Sequence, residues 1–142
     1  MQLQQDSLGA LFVDITRMMR RAFQKRMEGS DLTLAQARVL VHVARREGLR
    51  QIELAELLEV QPITLARLID QLVRAGLVER RPDPDDRRAH RIHLRAAATP
   101  HLLAIEQVMA SIRSEALRGL DRQQTAALLD GLRVLRNNLA SL

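Results

Sequence analysis

The segment RRPDPDDRRAHRIHL, residues 80–94, concentrates charged side chains of the kind that bind nucleic acid. Three arginines and three aspartates share its tip: Arg87, Arg88 and Arg91, with Asp83, Asp85 and Asp86. Because Asp86 lies two residues before Arg88, its carboxylate could accept the guanidinium fork and hold that side chain extended. An extended arginine can enter a narrow minor groove of DNA at a lower entropic cost. The alternative is a solubilising turn whose ion pairs contribute little.

A second group of candidate contacts lies on the predicted helix before this segment. Its apolar positions are expected to face inward: Leu65, Leu68, Ile69 and Leu72. Five polar positions then face outward: Gln61, Thr64, Arg67, Gln71 and Arg74. In a major groove, glutamine can pair with adenine, arginine with guanine, and threonine with a phosphate or a thymine methyl group. An ordinary solvated helix face would show the same pattern.

The elements around these residues have a recognisable order. Two short alternating segments, 77–81 and 90–94, flank a tip that contains Pro82 and Pro84, which predicts a β-hairpin. Before it, residues 52–75 are predicted to form two short helices divided at Gln61. Two helices followed by an arginine-rich hairpin are typical of a winged helix-turn-helix, and the expected ligand is double-stranded DNA.

Longer helices are predicted on both sides of this region. The first runs roughly from Gln5 to Glu28, and the second lies between a Thr33 capping box and Gly48. The helix after the hairpin could start at the Thr99-Pro100 pair, with Thr99 as its N-cap, or near Arg95 with a kink. A last helix follows a cap formed by Asp121 and Gln124. The predicted fold class is mainly α with a small β-hairpin wing.

Two apolar stripes favour self-association. One follows the first helix, and the other forms a coiled-coil-like seam in the last helix; they contain Leu8, Leu11, Phe12, Ile15, Met19, Ala22 and Phe23, and Leu128, Leu132, Leu135, Leu139 and Leu142. A second copy of the chain would cover both stripes. The alternative is that these helices fold back on the core of one chain.

Composition narrows the class of ligand. The chain has 142 residues and a formal net charge of +5, and nearly all its positive charge is on arginine, because Lys25 is the only lysine. This balance favours a polyanion, although an arginine-rich genome would give the same bias. Phe12 and Phe23 are the only aromatic residues, which leaves no stacking platform for single-stranded nucleic acid.

Several function classes find no support in the sequence. His90 and His93 point to opposite faces of a predicted strand, while His42 and His101 are isolated, so we expect no metal site. No glycine-rich phosphate loop, cysteine nucleophile or evident acid pair is present, so we expect neither an enzyme nor a cofactor. The absence of cysteine and of long apolar segments is consistent with a cytoplasmic protein without a membrane partner.

The run IELAELLEVQPITLARLIDQLVRAGLVERRPDPDDRRAHRIHL resembles the winged helix-turn-helix of the MarR family of bacterial transcriptional regulators. Its part DDRRAHRIHL is particularly similar to the SlyA-like branch. The resemblance implies a single domain over 1–142, with dimerisation helices in 1–30 and 95–142 and a DNA-binding region in 31–94. It also implies a homodimer that binds a palindromic operator. By the same resemblance, Arg88 would enter a minor groove with its side chain oriented by Asp86, and Thr64 and Arg67 would contact DNA from the recognition helix.

The resemblance further implies repression, or competition with other DNA-bound proteins, and release of DNA on binding a small anionic ligand such as a phenolic or other aromatic acid. A pocket of the family type could be lined by Phe12, Arg17, Phe23, Arg38 and His42, although core packing explains the phenylalanines equally well. Three residues depart from the family pattern: Arg50 for a capping Ser or Thr, Glu59 for a turn glycine, and Arg95 for a threonine. The alternative function is a helical protein-protein interaction dimer that binds DNA weakly or not at all.

Overall fold

A computed structural model describes residue 4 and residues 6–142 of the chain. The chain forms two compact units, Met1–Met109 and Ala110–Leu142. The first contains, in order, α1 (Leu8–Arg26), α2 (Leu34–Arg45), α3 (Gln51–Leu58), α4 (Pro62–Arg74), β1 (Val78–Pro82) and β2 (His90–Leu94). Helix α5 (Thr99–Ala116) starts in the first unit and ends in the second, which also contains α6 (Arg122–Ala140). The single domain over 1–142 stays a prediction.

The predicted fold class is confirmed: the described residues are mainly helical, with one antiparallel β-hairpin. In the hairpin, Val78 pairs with Leu94 and Pro82 pairs with His90. The first strand therefore begins one residue later than predicted. The loop between α2 and α3 supports β2, because Gly48 N–H donates to the Ile92 carbonyl at 2.9 Å.

The core of the first unit joins the three central helices to the hairpin. Its fully buried large side chains come from every one of these elements, and Ile105 is added from α5: Val39, Leu40, Val43, Leu54, Leu65, Ile69, Leu72, Val78, Ile92 and Ile105. Three of the four residues predicted to face inward on α4 are buried, and Leu68 packs against the same cluster. This shared core fixes α4 relative to the hairpin.

Both predicted capping boxes are present. Thr33 Oγ1 accepts from Gln36 N–H at 3.1 Å, and Gln36 Oε1 accepts from Thr33 N–H at 3.0 Å. Asp121 and Gln124 make the same reciprocal pair at the start of α6, with distances of 2.8 and 3.0 Å. Each pair satisfies two N–H groups that the helix itself leaves unpaired.

The bounds of α1 differ from the prediction. Gln5, where the helix was predicted to begin, lies outside the described residues. The helix begins at Leu8, because Ser7 has extended backbone angles and its Oγ accepts from Ala10 N–H at 3.3 Å. It ends at Arg26, two residues before the predicted Glu28.

The helix after the hairpin starts in a way that neither prediction described. A short 3-10 turn over Ala96–Ala98 leads directly into α5. Thr99 has helical backbone angles, so it is the first residue of α5 and not its N-cap. Pro100 is tolerated because it is the second residue of α5 and lies in the first turn, where no N–H donor is needed.

Both helices predicted to self-associate leave many of their apolar residues exposed. Within the described residues α1 contains no buried residue, and neither does α6. On α6, Leu128 and Leu139 are exposed while Leu132 and Leu135 are half-buried. Leu142, the last residue of the predicted seam, lies two residues beyond the end of α6 at Ala140.

Among residues 4 and 6–142, no helix combines the length and the apolar character that crossing a membrane requires.

Candidate nucleic-acid interface

The outer face of α4 presents the polar residues that the sequence predicted there. Pro62 occupies the first helical position, and Leu65, Ile69 and Leu72 turn the opposite face into the core. The five candidate contacts are all exposed: Gln61, Thr64, Arg67, Gln71 and Arg74. Gln71 is the one tied to a neighbouring helix, since its Oε1 accepts from Gln36 Nε2 at 2.9 Å.

The tip of the hairpin exposes two arginines, Arg87 and Arg88. The contact between Asp86 and Arg88 differs from the prediction. Asp86 Oδ1 accepts from the backbone N–H of Arg88 at 3.0 Å, and the Asp86 carbonyl accepts from Ala89 N–H at 3.1 Å. Asp86 therefore shapes the turn, and it does not hold the guanidinium group.

Asp83 is the most buried charged residue of the region, with 3% of its surface exposed. Its Oδ2 accepts from Arg50 Nε at 2.7 Å and from Arg91 Nε at 3.1 Å. Its Oδ1 accepts from Asp85 N–H at 2.8 Å. The carboxylate thus joins the start of α3 to both strands of the hairpin, and every one of its contacts is a charge-assisted hydrogen bond.

These contacts shift the pKa values of Asp83 and Arg50. The Asp85 N–H donor, followed by the charges of Arg50 and Arg91, lowers the pKa of the Asp83 carboxyl group, although burial opposes the change. The Asp83 carboxylate in turn raises the pKa of Arg50. Asp83 and Arg50 therefore both stay ionised at neutral pH.

Arg50 and Arg91 have roles that the sequence analysis missed. Arg50 is the N-cap residue of α3 but makes no side-chain cap, and its guanidinium contacts Asp83 instead. Arg91 was expected to contact DNA. Its Nε contacts Asp83 and its Nη1 donates to the Gly48 carbonyl at 3.0 Å, so it joins the hairpin to the α2–α3 loop.

Arg80 connects the hairpin directly to α4. Arg80, on β1, forms an ion pair with Asp70 at 2.7 Å between Nη2 and Oδ1. Its Nη2 also donates to the Ala66 carbonyl at 3.3 Å, and its Nε donates to Gln51 Oε1 at 3.0 Å. One side chain therefore contacts α3 and α4 from the wing.

The remaining arginines of this surface have no such partners. Arg67 and Arg74 on α4, and Arg87 and Arg88 at the hairpin tip, are exposed. Within the part of the chain that the structure describes, their side chains make no ion pair or hydrogen bond. The arginines thus divide into two groups. Arg50, Arg80 and Arg91 pair inside the protein, whereas the exposed arginines of α4 and the hairpin tip can contact a ligand.

A groove of about 370 Å³ lies between the hairpin tip and the starts of α3 and α4. Its walls combine cationic, polar and apolar side chains: Arg50, Gln51, Ile52, Pro62, Asp86, Arg88, Ala89 and His90. Neither helix start has a side-chain cap, so backbone N–H groups there are open to a ligand or to water. This arrangement suits an anionic backbone passing between the helices and the hairpin.

The structure separates the five residues predicted to bind a small ligand. Phe12 and Arg17 both line an open groove of about 570 Å³ along α1, together with Arg20 and Arg21. Phe23 packs against the core, and His42 donates from Nδ1 to the Arg38 carbonyl at 2.9 Å. Only two of the five predicted residues are therefore brought together in a groove.

Among the described residues, no three His, Asp or Glu side chains converge as the ligands of a metal ion would.

Comparison with known proteins identifies the family. A sequence model described as MarR family matches residues 32–90, which include α2 to α4, β1 and the tip of the hairpin. The crystal structure of the transcriptional regulator PA3341 is 35% identical in sequence, has a TM-score of 0.81, and matches 96% of this chain and 100% of that chain. The chain belongs to the MarR family.

Structures of MarR proteins share the fold over nearly the whole chain. A protein named Multiple Antibiotic Resistance Repressor, MarR, is 26% identical, and its structure has a TM-score of 0.81 with coverage of 94% of this chain and 96% of that chain. A MarR transcriptional regulator from Methanosarcina mazei Go1 is 23% identical, with a TM-score of 0.78 and coverage of 95% and 98%. MarR proteins are transcriptional regulators. The SlyA-like branch stays a prediction.

Proposed function

We propose that this MarR-family protein regulates transcription by binding a specific palindromic operator as a homodimer. The observation that carries the proposal is the division among its arginines. The side chains of one group make internal contacts that hold the hairpin and the helices together; this group contains Arg50, Arg80 and Arg91. The arginines on α4 and at the hairpin tip stay exposed and unpaired within the described residues.

This division suits two different contacts with one duplex. Helix α4 would enter a major groove, where Arg67 can pair with guanine and Thr64 with a phosphate or a thymine methyl group. The hairpin tip would reach the adjacent minor groove, where the negative potential favours Arg88. Arg80 supports this geometry because it ties the strand to α4, so that the two contacts act as one rigid surface.

The homodimer is supported by the exposed apolar faces of α1 and α6. Exposed leucine, isoleucine and phenylalanine in contiguous stripes mark association surfaces in soluble proteins. A two-fold dimer would present two copies of α4 about 34 Å apart, one turn of DNA, which is why the operator should be palindromic. In this proposal the DNA-binding region spans residues 31–94, with its contacts on α4 and at the hairpin tip, and residues 1–30 and 95–142 supply the dimer contacts.

We also propose that the protein acts as a repressor, as the name of one similar structure states for that protein. The groove along α1 could admit a small aromatic or anionic ligand, because Phe12 offers an apolar surface and Arg17 and Arg20 offer positive charge. Such a ligand would bind beside the proposed dimer surface, and it could change the spacing of the two DNA-binding regions.

An electrophoretic mobility shift with the duplex upstream of the protein's own gene tests DNA binding. We expect a specific complex that survives excess competitor DNA. A complex that disappears with competitor, from a dimer that is otherwise well folded, would instead favour the alternative of a protein-protein interaction dimer. Repression is tested by transcription in vitro from the same duplex, where added protein should lower the yield of transcript.

A further inference from the structure

Ile63 is an apolar residue in an unexpected place. It is the second residue of α4, and 65% of its surface is exposed. Single exposed apolar residues are common and do not by themselves indicate a binding site. Ile63 is distinctive because of its position: it lies in the first turn of the helix whose outer face carries the polar candidate contacts.

The helix geometry puts Ile63 and Arg67 on one face. At 3.6 residues per turn, Ile63 lies about 160° around the axis from the buried Leu65 and only about 40° from Arg67. Residues four apart on a helix are direct neighbours, one turn above the other. Any surface that Arg67 contacts by its outer face is therefore also within reach of Ile63.

We infer that Ile63 is a specificity-determining residue that contacts the 5-methyl group of a thymine in the operator. The inference rests on the proposed function, because it requires α4 to lie in a major groove. The thymine methyl group is the one apolar group that the bases present there, and apolar side chains contact it. The first residues of a recognition helix are those that point at base edges.

The position of the thymine follows from the helix rise. Residues four apart are separated by about 6 Å along the axis, and successive base pairs by about 3.4 Å. The thymine should thus lie within about two base pairs of the base pair contacted by Arg67. The β-branched side chain of Ile63 has few rotamers, so the contact costs little conformational entropy.

The test removes the methyl group from the DNA and the side chain from the protein. An operator is first selected from a random duplex library with the wild-type protein. Each thymine is then replaced singly by deoxyuridine, which lacks only the 5-methyl group, and the dissociation constants of wild-type protein and Ile63→Ala are compared. We expect one thymine per half-site at which deoxyuridine weakens wild-type binding about fourfold, the effect of one methyl group. In Ile63→Ala the same replacement should have no effect.

A control on the same helix is Val73→Ala, near the other end of α4, where 36% of the residue is exposed. This variant should keep the wild-type response to deoxyuridine. Equal responses of wild-type protein and Ile63→Ala at every thymine would overturn the inference, whether those responses are large or absent. A different result would contradict the proposed function itself, namely a selection that enriches no sequence.

Discussion

Arg67 and Arg88 are both exposed arginines, yet their positions predict different effects on DNA binding. Arg88→Ala removes a charge from the hairpin tip, where the minor groove offers a strong negative potential and little sequence information. We expect weaker binding to all sequences and a smaller dependence of affinity on salt. A titration at several salt concentrations measures both quantities.

Arg67→Ala should act on sequence preference. Its loss is expected to cost about 1 to 3 kcal/mol at one base pair and to relax the preference there, with a smaller change in the salt dependence. The measurement is a competition titration with single-base operator variants. Arg45→Ala, which removes an exposed arginine from the end of α2, is the matched control and should leave both quantities unchanged.

An Arg88→Ala protein with wild-type affinity and salt dependence would show that the hairpin does not touch DNA.

Asp83→Asn tests the buried carboxylate. Because the pKa of Asp83 is lowered in the folded protein, the unfolded chain binds its proton more readily. The stability that this carboxylate provides is therefore complete above its unfolded pKa of about 3.9, and it is lost as the pH falls through the folded pKa. We expect Asp83→Asn to unfold at lower urea concentration than wild type at pH 7, and the difference to shrink below about pH 4. A difference that stays constant down to pH 3 would contradict this role.

The turn between α3 and α4 carries a backbone feature that a substitution can relieve. Glu59 ends α3 in the left-handed conformation, with a φ angle of 53°. This conformation is unfavourable for a residue with a Cβ atom and is normally occupied by glycine. Since Glu59 is exposed, Glu59→Gly should raise the free energy of unfolding by about 1 kcal/mol, even after the greater freedom of glycine in the unfolded chain is counted. Urea denaturation measures the change, and a less stable variant would contradict it.

Local features of the elements could be predicted from the sequence. Thr33 and Asp121 were identified as caps because their partners lie three residues away, within the same turn. The hairpin could be predicted because its alternation and its prolines are adjacent in the chain. Each of these signals depends only on neighbouring residues.

The contacts that organise the wing could not be predicted in the same way. Arg50 and Asp83 are 33 residues apart, and Arg91 donates to a carbonyl 43 residues away. The residues next to an arginine in such a segment do not indicate whether its side chain pairs inside the protein or faces outward, because the partner lies far away in the chain. The contacts of Arg91 with Asp83 and Gly48 were therefore not predicted, and Arg50 was regarded only as a missing cap.

The protein as a whole is expected to exist as a homodimer, and the exposed faces of α1 and α6 motivate this prediction. Ile15→Asp introduces a charge at a residue of the α1 stripe that is 48% exposed in the single chain. Burying that charge in an interface between copies would be costly, so we expect the variant to dissociate. Sedimentation equilibrium should give the mass of a dimer for the wild type at low micromolar concentration and a smaller mass for the variant.

Leu57→Asp is the control for the dimer prediction, because Leu57 is 45% exposed on α3 and lies outside the proposed interface. This variant should remain a dimer. Mass action adds an independent check: the melting temperature of the wild type should rise with protein concentration, whereas that of Ile15→Asp should not. Two linked half-site contacts bind far more tightly than one, so Ile15→Asp should also lose most of its operator affinity. Leu57→Asp should keep its dimeric mass. A wild-type protein that sediments as a stable, folded monomer would refute the dimer, and with it the expectation of a palindromic operator.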